Sequence, residues 1–311
     1  MSSALIALDW GTTHLRAYRV PALTSQQVSD ASIECRQGPG VTAVPQGDFG
    51  SCLDTIIGDW LSADTTMPIL ANGMVTSTLG WHEVEYCDCP ASIESLVATS
   101  VDKPICATTA TQIGGARCTN PFGMPDVLRG EELQALGAIS PDEDALVVLP
   151  GTHNKWIAVN GGRLVSFVTV LTGELYALLC KNSTLVAVGP DQDDDTDAFD
   201  AGLEAIASAG ADNALALLFS TRARRLSGAL AETSAAAYLS GLLIGADVRL
   251  GLQLAERARW STATLRLVAS PALADRYLRA FAHANVKVDQ VSDRHASIKG
   301  FQRFAAARNK H

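Results

Sequence analysis

Basic residues are scarce in this chain. Lys and Arg total 24 against 33 Asp and Glu, a formal net charge of −9. Nucleic acid and anionic membrane surfaces both need clustered cations, so this balance argues against either as a partner. Paired cysteine motifs are missing as well. The seven cysteines are odd in number, scattered, and include no Cys-x-x-Cys pair, which predicts buried thiols in a reducing, cytoplasmic compartment. His82, Cys87 and Cys89 could be read as a zinc set, but the usual paired ligand spacing is absent. No uninterrupted apolar run is long enough to cross a bilayer. The apolar stretch near the start is only strand length, with no basic segment before it, so it reads as a strand and not as a secretory signal.

What the chain does have is apolar content. Of its 311 residues 47% are hydrophobic and 18% charged, enough for a large core and comfortable for two lobes. It also contains a repeat. Residues 4–20 read ALIALDWGTTHLRAYRV and residues 145–160 read ALVVLPGTHNKWIAVN. With one residue deleted at Trp10, Gly11-Thr12 falls on Gly151-Thr152. Each copy predicts a buried strand, a tight Gly-Thr turn and a second strand. A third strand follows in each, at 32–36 and 163–170, and then a helix, at 51–61 and 172–180. Asn160-Gly161-Gly162 supplies a hairpin turn in the second copy.

A Gly-Thr turn lets backbone N–H groups approach an anion, and threonine adds a hydroxyl. Two such turns could grip one polyphosphate from both sides. Asp9, just before the first turn, is costly as an unpaired core residue and well placed to hold Mg²⁺ against phosphates. Thr12 and Thr13 are candidate phosphate donors. Pro150 replaces the carboxylate in the second copy, where Gly151, Thr152, His153 and Lys155 are the candidates. This duplication resembles the sugar-kinase, heat-shock ATPase and actin superfamily. The resemblance implies an α/β fold of two ribonuclease-H-like lobes around a nucleotide-binding cleft. The expected lobes are 1–140, with the first phosphate turn and the acceptor site, and 141–311, with the second phosphate turn and the nucleoside site. By the same resemblance a strand at 265–269 and a helix capped by Ser270, with Pro271 in its first position, hold the nucleoside, although Ala269 stands where glycine is usual.

Longer stretches are more specific. ALDWGTTHLRAY, NGMVTSTLGWHEVEYCDCPA, PDVLRGEELQALGA, LPGTHNKWIAV, TVLTGELYALL and YLSGLLIGADV run in order along the chain and resemble the 2-dehydro-3-deoxygalactonokinase family. That resemblance implies transfer of the ATP γ-phosphoryl group to the 6-hydroxyl of 2-dehydro-3-deoxy-D-galactonate. Thr76, Glu85 and Asp247 depart from the family's usual glycine, proline and glutamate; Thr76 and Glu85 flank the segment expected near the sugar acid and leave the preferred epimer open.

Phosphoryl transfer needs alignment, charge neutralisation and a carboxylate near the attacking hydroxyl. By superfamily order the base precedes the second turn, within 125–137. Asp126 and Glu131 are both candidates. Related sugar kinases use an aspartate just before such a helix, and exopolyphosphatase-like relatives use a glutamate in a similar Gly-x-Glu-Glu setting. Glu131 and Glu132 also suit a helix N-terminus for purely structural reasons. Arg129 has the planar fork for a carboxylate or phosphate. Asn72, Thr76, Ser77, Trp81 and Glu174 are the remaining candidates for the sugar-acid site, with Trp81 equally at home in a core.

Three features are discounted. The acidic run 191–197 reads as a solvated loop before a helix near Ala198. The long helical stretch 232–257 is core or a homodimer face. The basic stretch 298–308 caps a lobe. Two alternatives to the kinase remain open: a polyphosphate or nucleotide phosphohydrolase of the same superfamily, and a nucleotide-gated scaffold without turnover.

Overall fold

The apolar run near the start has no polar face, and it forms a strand covered on both sides. This strand, β1 (Ala4–Trp10), buries Leu5 through Leu8 and Trp10, as a near-continuous hydrophobic run should. The computed structural model describes residues 4–21, 33–45, 48–105, 108–186 and 194–310. Its contacts divide the chain into two units. The first comprises Met1–Asp144, Val159–Phe167 and Val291–His311, and the second Ala145–Ala158 and Val168–Gln290.

In the first unit β1 pairs antiparallel with β2 (His14–Pro21), which pairs with β3 (Glu34–Pro39). Helix α1 (Phe49–Ala63) follows and turns Phe49, Leu53, Ile57 and Trp60 inward. That spacing is one helical face, and it packs on Ile6, Leu8 and Trp10. Strand β4 (Ile69–Asn72) lies parallel to β1, with Asp9 opposite Asn72. After β5 (Cys87–Asp88) and α2 (Ile93–Thr99) come β6 (Val101–Ile105) and β7 (Thr108–Gln112), which complete the sheet in the order β3-β2-β1-β4-β7-β6. A second sheet, β5-β8-β9, is made with β8 (Ala116–Thr119) and β9 (Pro125–Leu128). It leads directly into α3 (Glu131–Gly137).

The C-terminal helix, Asp293–Arg308, packs on α3. Two glycines set the approach: a methyl on Gly137 would overlap the Ala296 carbonyl, and one on Gly300 the Leu133 carbonyl. The division at 140/141 expected from sequence put this helix in the second lobe. The structure puts it in the first unit, because backbone-to-backbone packing against α3 is available there.

The second unit repeats the plan. Strand β10 (Ala145–Leu149) is buried throughout. The turn from β11 (Asn154–Asn160) to β12 (Arg163–Val170) places Gly161 at φ 52° and Gly162 at φ 68°, the backbone that a two-residue hairpin of this hand demands. Helix α4 (Thr172–Asn182) follows, then α5 (Thr196–Ala209), whose first turn is capped by Asp195 accepting from Ala198 N–H at 3.0 Å. Residues 191–193 of the acidic run lie outside the described residues. After α6 (Ala214–Leu218) and α7 (Ser220–Leu226), the long helix α8 (Ala235–Arg257) crosses α5 where Gly202 and Gly241 leave no room for a side chain. Although the sequence shows no unbroken apolar run of spanning length, α8 is long and apolar enough to cross a membrane by length and composition. Within the unit, however, 78% of its most apolar window is buried, so α8 serves as core. Then come β13 (Leu265–Ala269), parallel to β10, α9 (Pro271–His283) and β14 (Asp289–Ser292), which leads into the C-terminal helix, α10. The sheet order, β12-β11-β10-β13-β14, matches the first unit's third-second-first-parallel arrangement, as a duplication predicts.

Gly137→Ala is expected to lower stability by about 1–3 kcal/mol, the usual cost of overpacking, read as a lower urea midpoint with unchanged slope. A midpoint equal to wild type would contradict the α3–α10 contact described here.

Candidate active site

In the first turn, what the carbonyls do decides what the N–H groups can do. Gly11 N–H closes the turn on the His14 carbonyl at 2.9 Å. The carbonyls of Gly11, Thr12 and Thr13 accept from Val41, Thr42 and Gly40 N–H at 3.1, 3.4 and 3.1 Å. The Thr42 hydroxyl also donates to Thr12 O at 2.9 Å. Thr12 and Thr13 are exposed, and their N–H groups make no hydrogen bond among the described residues. Gly40 permits this backing, since a methyl there would overlap the Thr12 carbonyl. The sequence reading missed Gly40, although the Pro39-Gly40 pair is a turn signal.

Asp9 ends β1 beside this turn and is partly buried. Its pKa rises to about 6, chiefly because burial strips water from the carboxylate; Arg16 opposes the shift, and Glu131 and Asp293 add to it. Arg16 is itself bridged to Asp293 at 3.3 Å. Gln134 donates to Asp9 Oδ2 at 3.4 Å and to the Ser297 hydroxyl at 3.1 Å, tying α3 and α10 to the end of β1.

Glu131 and Glu132, adjacent in sequence, have different surroundings. Glu131, partly buried, accepts from Arg129 N–H at 3.0 Å and bears on Asp9. Glu132 has no exposed surface. Its Oε2 accepts from Gly130 N–H at 2.7 Å, its Oε1 has no hydrogen-bond partner within normal geometry among the described residues, and burial pushes its pKa up to about 8, with the Asn72 side chain opposing the shift. Gly130, at φ 110°, and Gly73, at φ 93°, let the start of α3 approach the end of β4. The structure therefore associates Glu131 with Asp9. Asp126 sits instead on β9, holding Val127 N–H at 2.9 Å and Asn120 Nδ2 at 3.4 Å.

Several candidates prove to be braces. Arg129 does not present its fork outward. Nη1 donates to the Thr76 carbonyl and hydroxyl at 2.5 and 2.8 Å, Nη2 to the Val84 carbonyl at 2.9 Å, and the guanidinium lies 4.2 Å from the Tyr86 ring centroid. Thr76 is fully buried and donates to Gly73 and Ile113 carbonyls. Ser77 caps its own turn through Met74 O at 2.7 Å. Asn72 is buried between Gly73 N–H and the Gly130 carbonyl. Trp81 stacks with Phe49 and His82 at 5.8 and 6.0 Å.

The second unit rebuilds the turn with other parts. Asn154 Oδ1 accepts from Gly151 N–H at 2.7 Å, and Thr152 O accepts from Glu174 N–H at 2.8 Å. Thr152 and His153 are exposed, and their N–H groups too make no hydrogen bond among the described residues. Gly173 seats α4 on the turn, and the space beside Gly151 is open. His153 Nε2 lies 2.7 Å from Glu174 Oε2, each side chain being half exposed. Glu174, a candidate for the sugar acid, thus contacts the second Gly-Thr turn through both its N–H and its carboxylate. Lys155, a candidate for the phosphate, is buried on β11, at 4% exposure. Ser270 occupies the cap position of α9 without a side-chain hydrogen bond. A cavity of about 110 Å³ adjoins Gly151, walled by Thr172, Tyr176, Ile244, Leu273 and Tyr277.

Duplicated units, each with an amide-lined turn after its first strand, define the fold of the sugar-kinase, heat-shock ATPase and actin superfamily. The fold recurs in the activator of 2-hydroxyisocaproyl-CoA dehydratase from Clostridium difficile, solved with bound ADPNP, at TM-score 0.51 and 12% identity over 99% of this chain and 96% of that one. Within that class the chain belongs to the 2-keto-3-deoxy-galactonokinase family, whose description matches residues 9–304. It is 34% identical over 310 residues, 99% of each protein, to 2-dehydro-3-deoxygalactonokinase of Escherichia coli (strain K12). A crystal structure from Sinorhizobium meliloti assigned to the same activity matches with TM-score 0.79 and 28% identity over 98% of both chains.

Glu132 gives a pH test. Unfolded, its proton leaves near pH 4.5; folded, near 8. Across that window the folded protein holds a proton the unfolded chain has lost, so stability falls as pH rises. Asp9 acts in the same direction between 3.8 and about 6. Glu132→Gln keeps an acceptor for Gly130 N–H and should flatten the decline, measured by urea unfolding from about pH 5 to about pH 9. An unchanged decline would rule out Glu132 as its source.

Proposed function

We propose that this chain transfers the γ-phosphoryl group of ATP to the 6-hydroxyl of 2-dehydro-3-deoxy-D-galactonate. Membership of a kinase family supports the reaction class, and the name carried by the relatives supports the acceptor. The observation that carries the mechanism is Glu131, a partly exposed carboxylate oriented by Arg129 N–H and acting electrostatically on Asp9.

In this reading Glu131 takes the hydroxyl proton as the sugar oxygen bonds to the γ-phosphorus and the bond to ADP breaks. Within the first unit the Thr12 and Thr13 amides would donate to phosphate oxygens, and within the second the Thr152 and His153 amides would do the same. The cavity beside Gly151 takes the nucleoside. Asp9 suits Mg²⁺ held largely through water, since the described residues include no group of three or more Asp, Glu, His or Cys side chains that could hold a metal ion; the cation would neutralise charge on the phosphates. Asn72, Thr76, Ser77 and Arg129 shape the acceptor side through the backbone they brace.

The test is ADP formation from Mg·ATP with a panel of 2-keto-3-deoxy sugar acids, epimers included. Turnover is expected with the galactonate. Glu131→Gln should lower kcat by about 10²–10⁴-fold, the span of general-base catalysis, while Asp126→Asn stays near wild type. The reverse pattern would move the base to Asp126. Phosphate release without any need for a sugar acid would replace the kinase with a phosphohydrolase.

A further inference from the structure

Asp247 is a buried carboxylate, 2% exposed, in the middle of α8, and no step above uses it. Its Oδ1 accepts from Trp156 Nε1–H at 3.0 Å. Its Oδ2 accepts from Asn154 Nδ2 and from the Tyr277 hydroxyl, each at 2.6 Å. These donors come from β11 and α9, so one carboxylate joins three elements of the second unit.

The chemistry of the Asn154 amide makes this more than packing. An amide carries donors at one end and an acceptor at the other, and the two ends have nearly the same shape. A carboxylate can only accept, so Asp247 admits one orientation, with Nδ2 toward itself. The other end, Oδ1, then faces the turn and accepts Gly151 N–H. Asn154 and Tyr277, both bound to Asp247, line the cavity beside Gly151.

We propose that Asp247 is a positioning residue for the nucleotide: by selecting the Asn154 orientation it closes the Gly151–Thr152 turn, and by holding the Tyr277 hydroxyl it fixes the cavity wall. This rests on the reading of the second unit as a nucleotide site. Asp247 touches no substrate and contributes no group to the chemistry.

The experiment compares full-length wild type, Asp247→Asn, Asn154→Ala and their double variant. ADP affinity is measured by calorimetry, KM for ATP and kcat by ADP release, and thermal unfolding in parallel. An amide at 247 accepts Asn154 in either orientation, so ADP binding and KM for ATP should each weaken about tenfold or more, the scale of one hydrogen bond to a charged group. KM for the sugar acid should stay at its wild-type value. Asn154→Ala should show the same nucleotide defect, and the double variant should be no worse than the weaker single. A lowered unfolding temperature with wild-type ADP affinity would reduce Asp247 to a structural role, and multiplying defects would break the proposed chain of action. If Asp247→Asn does not fold, Asn154→Ala decides: wild-type affinity for ADP in that variant overturns the proposal. If wild type itself binds no ADP, the nucleotide reading fails first.

Discussion

A peptide group can offer its N–H to an anion only when its carbonyl has been satisfied behind it. The first turn in this chain follows that constraint throughout, and the second follows it at Thr152. In the first, a short 3₁₀ segment, Val41–Ala43, together with Gly40 takes up three consecutive carbonyls. In the second, the start of α4 takes up the Thr152 carbonyl, while the Asn154 side-chain oxygen accepts Gly151 N–H, the part that the His14 carbonyl plays in the first turn. The turns look alike in sequence and differ in what stands behind them. Gly40 and Gly173 let a backing segment come close to the turn carbonyls, and Asn154, held by Asp247, closes the second turn by accepting Gly151 N–H.

Carboxylates show the same logic with higher stakes. Asp9 retains some exposure and two modest partners, and its shift is moderate. Glu132 has lost all contact with water, and one of its oxygens has no hydrogen-bond partner among the described residues, so the neutral acid is the form that the fold accommodates. Asp247 is as deeply buried but surrounded by donors. Burial raises the pKa of all three acids, and the N–H and O–H groups around Asp247 offset part of that shift.

Much of the architecture was legible because it rests on local pattern. The repeat, the glycine pair at 161–162, the strand at 265–269 and the proline opening α9 each carry their own backbone requirement and appear where the pattern places them. Side-chain direction was less legible. Glu131 and Glu132 lie about 100° apart on a helix of 3.6 residues per turn, and only the packing of α3 decides which one goes inward. Arg129 has the chemistry of a substrate fork, yet Thr76, 53 residues away, claims it. Lys155 reads as a phosphate cation, and nothing in its type foretells that β11 is buried. These outcomes depend on contacts between distant parts of the chain, where residue type gives little guidance.

The return of α10 to the first unit has a consequence for synthesis. The helix that carries Glu131 and Gln134 packs on residues 293–308, which are translated only after the whole second unit. At roughly 5–20 residues per second, the ribosome takes on the order of 7–30 s to cross that interval. During that time the nascent first unit lacks the partner of α3, and the faces of Leu133 and Gly137 stay uncovered. The second unit, contiguous apart from a short excursion at Val159–Phe167, is free of that delay, so the unit that is begun first is completed last.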